Sequence, residues 1–384
     1  MNGLENNKVI FFIEKNALWL LFFFWAFMQA YLLFSSGINT GGESSRPIME
    51  AANLFSGKGI SVASNYMYFT EALLIFLAMK IHAGYGAVIA FQLILNFVAL
   101  IYLYRFMIIF YSSRILAFAG CFLLIVCFPY QLYNASLYTE SVFFSLSILY
   151  SCYLLKLKKL SLKSIVVLII FLILLCISRP SGIFFLGATI IYLFFFVSKK
   201  LNPFIRIAVF VSLSFIALWL LNYLMGTGGS IDVILPFKEQ MVICEVPTIH
   251  YTSDTGAIQN DNSIAGLANY IFHNFHQFGR LTLLKSKAFF GLLRPYYSSG
   301  HNAFLLFYFY PLYLFIILCI IKMKYRMPVA FIYFIILIII FWLSVVFSCD
   351  EWHNRFFLTL VPFLILPALY LFKKHSKVFN KDGS

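Results

Sequence analysis

The sequence predicts an all-α, polytopic transmembrane bundle of about ten spanning helices, with further interfacial helices on its outer face. Three observations carry that expectation. Hydrophobic residues fill 62% of the 384 positions and charged residues only 11%, and mean hydropathy is +0.91. A soluble domain sits nearer half apolar and a quarter charged. Apolar runs of about 20 residues, enough to cross roughly 30 Å of hydrocarbon, recur along the chain. The basic residues between those runs gather on one side.

The runs fall at 16–34, 84–104, 115–131, 138–155, 164–178, 182–198, 207–225, 302–321, 328–347 and 356–372. Tyr31-Leu32-Leu33-Phe34 continues the first run without a small-residue cleavage site, so it is expected to stay as a helix. Two long polar stretches separate the runs, one from Ser35 to Asn65 and one over 226–303. The chain therefore divides into a membrane module at 1–225 with its first outer loop at 35–83, a large outer loop at 226–303, and C-terminal helices with a tail at 304–384.

Charge placement sets the sidedness. Lys8, Lys15, Arg105, Arg114, Lys156, Lys158, Lys159, Lys163, Lys199, Lys200, Arg206, Lys322, Lys324, Arg326, Lys373, Lys374, Lys377 and Lys381 share one side. They are 18 of the 28 basic residues, accompanied only by Glu5, Glu14 and Asp382. The positive-inside rule puts both termini in the cytoplasm of a multi-pass inner (plasma) membrane protein. The net charge of +14 is thus a topology signal and gives no reason to expect nucleic acid. Residues 66–82 are apolar but interrupted by Glu71, Lys80 and His82. A span there would turn the later basic loops outward, so an interfacial or re-entrant helix is expected. Cys244 and Cys349 both fall in outer loops, where an oxidising compartment permits pairing; their spacing leaves the question open.

Candidate chemistry lies in the outer layer. Gly41 and Gly42 permit a sharp turn presenting Glu43, a candidate general base at the membrane edge. Arg46 and Glu50 follow, and from Pro47 a short amphipathic helix is expected to run towards Gly57. Arg179-Pro180-Ser181-Gly182 forces a tight turn between two short runs, and Phe128-Pro129-Tyr130 ends another run in the same layer. Glu140 opens a run where a helix N-terminus favours a carboxylate. Arginine suits phosphate because its planar fork meets two oxygens. Arg179 and Arg355 border runs, whereas Arg280, Lys287 and Arg294 repeat at seven and suit one helix face. His301 and His353 are candidate hydrogen-bond partners for substrate. Asp350 and Glu351 are the candidate ligands should a divalent cation bind, although the usual metal-site spacings are missing.

This order of features resembles the GT-C superfamily, integral membrane glycosyltransferases that take sugars from polyprenyl-phosphate or polyprenyl-pyrophosphate carriers. The matching residues are the acid Glu43 after small residues, Ala51-Ala52 followed by Gly57, Asn134 through Thr139-Glu140, Arg179-Pro180-Ser181-Gly182, Arg294-Pro295-Tyr296-Tyr297-Ser298 and His353-Asn354-Arg355-Phe356. The family's first-loop acid is usually aspartate; here it is glutamate. The resemblance implies Glu43 as catalytic base, a polyprenyl-phosphate sugar donor, and a glycan, lipid or protein acceptor. It leaves a divalent cation, Mg or Mn, open. Two other classes fit such a chain: a polymerase or ligase of lipid-linked oligosaccharide, needing arginines in the large loop rather than Glu43, and a transporter or flippase. Against the last stand the missing inverted repeat and the gathering of ionisable groups in one layer.

Overall fold

The computed structural model describes residues 2–157, 159, 161–197, 202–226, 234–248, 262–323 and 327–373. Lys158, Lys199, Lys200, Lys324, Arg326, Lys374, Lys377, Lys381 and Asp382, all part of the charge count above, lie outside them. Among the described residues every regular element is helical, apart from two isolated backbone bridges.

The order begins with α1 (Asn2–Ser36), α2 (Ser45–Phe55), α3 (Phe69–Lys80), α4 (Gly84–Tyr111), α5 (Arg114–Val126) and α6 (Phe128–Gln131). It continues with α7 (Thr139–Lys156), α8 (Leu162–Ser178), α9 (Gly182–Tyr192), α10 (Pro203–Gly226) and α11 (Leu235–Lys238). The remainder are α12 (Ile264–His273), α13 (Phe275–Gly291), α14 (Ser299–Met323), α15 (Val329–Phe347), α16 (Arg355–Leu358) and α17 (Val361–Tyr370). A helix stands at each of the ten expected runs. Length and composition license fewer crossings: α1 over Phe11–Ser36, α4, α14 and α15 suffice alone, giving four. Two bent pairs raise the number to six: α5 with Phe128–Ala135, bent by 67° where Pro129 follows, and Trp352–Leu358 with Val361–Tyr370, bent by 50° beside Pro362. The chain is a multi-pass membrane helical bundle of at least four crossings.

Why α7 falls short of the apolar criterion is visible in its packing. Ser141, Ser145, Ser147 and Ser151 are all buried, and Ser145 and Ser147 donate to the carbonyls of Ser141 and Phe144 at 2.9 and 2.7 Å. Small side chains that satisfy themselves on their own helix let neighbours approach closely, which in a membrane replaces hydrophobic exclusion as the packing device. α7 is accordingly the central post, packed against α3, α4 and α8. At the periphery, Phe23, Phe27, Phe34, Ile173, Phe215, Phe307 and Ile321 are exposed. A belt of bare aromatic and aliphatic side chains this wide meets lipid.

Residues 66–82 form no span. They make a 3-10 turn at Ala63–Tyr68 and then α3, twelve residues long, or about 18 Å at 1.5 Å per residue. α2 runs as expected from Ser45 to Phe55, and Gly57 beyond it has φ +76°. Among the described residues between α10 and α14, Phe237, Tyr270 and Leu281, drawn from α11, α12 and α13, form a small core of their own. The pairing that the sequence left open is made: Cys244 and Cys349 form a disulfide across 105 residues.

Candidate active site

Five helix ends meet in one layer: the C-termini of α1 and α8 and the N-termini of α3, α7 and α16. The loop after α1 is fixed there by backbone pairing. Asn39 N–H donates to the Ala135 carbonyl at 2.9 Å, and Leu137 N–H donates to Asn39 at 3.1 Å. The loop then turns at Gly42, with φ +60°. A Cβ on Gly42 would lie 2.7 Å from the Tyr138 hydroxyl, so only glycine brings Glu43 over the start of α7. On the other side, the turn at Arg179–Gly182 closes with Gly182 N–H donating to the Arg179 carbonyl at 2.9 Å. Gly182 sits where any Cβ would strike the Leu175 backbone.

These constraints assemble an ionic cluster from four distant segments. Buried Glu140, in the first turn of α7, is ion-paired with Arg179 and receives Arg355 at 3.2 Å. Arg355 also bridges to Glu43 and lies 3.9 Å from Glu351. Both guanidiniums are buried, but the Glu43 side chain keeps 44% of its exposure. Removing Glu140, Arg179 or Arg355 would strand buried charge, at a cost of about 3–5 kcal/mol, whereas solvent screens the exposed Glu43. A small cleft with about 10 Å³ of free volume, room for roughly one water, lies beside the cluster, lined by Glu43, Arg46, Pro47, Tyr68, Tyr138, Thr139 and Glu140. The Arg46 guanidinium lies over the Tyr68 ring at 4.5 Å.

The approach to Arg355 is strained and anchored. His353 and Asn354 both adopt left-handed backbone conformations, φ +58° and +56°, which non-glycine residues enter at a cost of about 1–2 kcal/mol each. Asn354 is held by its side-chain bond to the Leu292 carbonyl at 2.9 Å. Just upstream, Asp350 is a hub. Its backbone pairs with Val242 and Cys244 at 2.9 Å each, and its side chain meets Arg294 and accepts from Glu351 N–H at 3.0 Å. Burial pushes the Asp350 carboxyl up to about 6, although Arg294 pulls it down. Lys285, buried in α13, donates to the carbonyls of Ser348 and Val346 with its amine 3.9 Å from the Phe237 ring centre. Burial pushes that amine down to about 7.

The sequence candidates divide clearly. Glu43, Glu140, Arg179 and Arg355 converge, Arg46 lines the pocket, and His353 adjoins it through Arg355. His301 joins His353 through Tyr297, which stacks on both rings. Glu50 does not join the cluster. Both its oxygens are taken by Ser61 and Asn65, and these bonds outweigh its burial and hold its carboxyl below the usual range. It fastens α2 to the following loop. The stripe of Arg280, Lys287 and Arg294 is broken. α13 ends at Gly291 with Leu292 left-handed, so Arg294 lies past the helix and turns inward to Asp350, while Arg280 and Lys287 stay exposed. Asp350 serves Arg294 and its own loop, and Glu351 lies 3.9 Å from Arg355. Among the described residues no group of three or more His, Cys, Asp and Glu side chains converges. Tyr68, Tyr138 and Tyr297 are the site residues that sequence reasoning passed over. Tyr138 precedes the Thr139-Glu140 motif and Tyr297 stands inside the Arg294–Ser298 motif without a role assigned to it, whereas Tyr68, in the apolar stretch at 66–82, carried no signal. Compared with protein-family models, curated proteins and solved structures, the chain matches none.

Proposed function

We propose that the chain is a membrane glycosyltransferase of GT-C type, with about ten spans and both termini in the cytoplasm. It moves a sugar from a polyprenyl-phosphate donor to a glycan, lipid or protein acceptor on the extracytoplasmic face of the inner (plasma) membrane. The observation that carries this reading is the junction of Glu43, Glu140, Arg179 and Arg355: one half-exposed carboxylate beside two buried guanidiniums at the rim of an apolar bundle. The disulfide supports the sidedness, since such bonds persist in oxidising compartments.

In this reading donor phosphate displaces the Glu43 carboxylate from Arg355, whose fork suits phosphate oxygens. Glu140 stays between Arg179 and Arg355 and holds both in place. The freed Glu43 takes the proton of the acceptor hydroxyl; the oxygen attacks the anomeric carbon; the bond from that carbon to the carrier phosphate breaks with inversion. The phosphate leaves with the electron pair, and the arginines stabilise its growing charge, the kind of preorganised contact that contributes most to catalysis. Should Mg or Mn take part, Glu351 and Asp350 are the acids nearest the cluster, and no step depends on them.

The test is Glu43→Gln in membranes supplied with a radiolabelled polyprenyl-phosphate sugar. Donor binding should persist and turnover fall by at least 10²-fold, the usual contribution of a general base. Unchanged turnover would instead favour a polymerase or ligase working from its large loop. Uptake of donor without any transfer would favour a flippase.

A further inference from the structure

A column of three rings stands next to the ionic cluster and is unused by the chemistry above. Tyr297, in the loop before α14, stacks on His301 with centroids 4.2 Å apart and planes 17° apart. Its ring also lies parallel to His353, at 6.0 Å and 14°. Phe128 closes the far end, edge-on to His301 at 5.1 Å. The near end is open, because His353 is exposed. Tyr297 and His301 lie four residues apart across the start of α14, whereas His353 and Phe128 are brought to them from distant segments of the chain.

His353 is the telling member. Its backbone is left-handed, as is that of Asn354, a region that L-residues enter only at some cost in backbone energy. Buried interactions hold it there: the Asn354 bond to the Leu292 carbonyl and the ion pairs of the next residue, Arg355. The charges of Arg355, Glu43 and Glu140 reach the His353 ring, which places it within the field of the reacting groups. Histidine here supplies a flat aromatic face and two nitrogens able to bond hydroxyls.

We infer that the His353–Tyr297–His301 column is the platform on which the sugar ring rests. The inference builds on the glycosyltransferase reading and names the ligand that this corner of the site takes. The ring face carries negative electrostatic potential, and the C–H bonds along one face of a pyranose are weak donors to it. Stacking leaves the sugar's hydroxyls directed sideways, towards imidazole nitrogens and the carboxylates. The ligand class is therefore a pyranose with one face uninterrupted by axial hydroxyls. Tyr297 is a positioning residue, acting through the two imidazoles it aligns.

His353→Gly is the decisive variant, because glycine accepts the left-handed backbone without penalty and removes only the ring. Saturation-transfer NMR on the full chain in nanodiscs, with methyl α-mannopyranoside and methyl β-glucopyranoside as probes, reads sugar contact without requiring transfer. Wild type should saturate the ring protons of one face of at least one glycoside. His353→Gly should weaken that contact at least tenfold with an unchanged melting temperature. Tyr297→Phe should retain it and Tyr297→Ala should lose it. Saturation in His353→Gly equal to wild type overturns the platform while leaving the transferase reading intact. Absence of saturation by either glycoside in wild type overturns the platform too. Glu43→Gln, which should keep the saturation and lose transfer, keeps the two ideas separable.

Discussion

At Gly42 the positive φ and the 2.7 Å approach of Tyr138 act together, so replacement disturbs both backbone and neighbour. Gly42→Ala should cost about 1–2 kcal/mol from the left-handed conformation alone and should displace Glu43 from Arg355. The measurement is turnover beside thermal unfolding. In Gly42→Ala/Tyr138→Phe the clash is eased, and turnover should recover part-way although the backbone penalty remains. Arg355→Lys tests the fork in the same cluster. A point charge cannot bridge Glu43 and Glu140 as a guanidinium does, so donor affinity should drop at least tenfold while the folded fraction is retained. Unchanged affinity would remove Arg355 from the phosphate site. Glu43 and Arg355 were legible in the sequence because rare charges in an apolar chain stand out. Tyr138 and Tyr297 were not, since any one of 24 tyrosines reads equally well as interfacial bulk.

Among the elements, α3 and the segment before α16 show how sequence and packing part company. α3 looked interfacial because Glu71 interrupts it, yet Glu71 is wholly buried and accepts from Gln92 of α4 at 2.9 Å. Burial pushes its carboxyl up to about 8. The folded chain therefore binds this proton more tightly than the unfolded chain does, whose value is ~4.3. Its stabilising contribution is full below that lower value and is lost as pH rises towards about 8. Glu71→Gln keeps the neutral form at every pH, so the gap in melting temperature between variant and wild type should widen from pH 5 to pH 8; a flat difference would contradict the buried-acid assignment. The segment 346–355 was readable only as scattered motifs, whereas in the fold Lys285, Arg294, Asn354 and the Cys244–Cys349 bond all fasten it. These ties join positions 50 or more residues apart, beyond the reach of periodicity or local spacing. Changing both cysteines to serine should lower stability by ~2–4 kcal/mol and loosen Arg355, seen as a raised KM for donor with kcat less affected. An equal loss in both would mean that the bond serves the fold alone.

For the whole molecule, helix positions were legible because each apolar run had to become a helix: in lipid the backbone must satisfy its own hydrogen bonds. Their status as crossings was not, because α7 is polar enough to hide its central position and α8 and α9 are short. The seven-residue stripe failed for a related reason: spacing alone does not reveal where α13 stops. The acids and arginines meet in one layer, which we propose faces outward. Ser45 is exposed two residues from Glu43; of the free cysteines, Cys121, Cys127, Cys152 and Cys319 are buried and the half-buried Cys176 is changed to alanine for the test. A cysteine at position 45 is therefore a clean reporter for a membrane-impermeant maleimide. Ser45→Cys should label in intact spheroplasts at the rate seen after lysis. Labelling only once the membrane is broken would put Glu43 in the cytoplasm and contradict the assignment of donor, sidedness and base together.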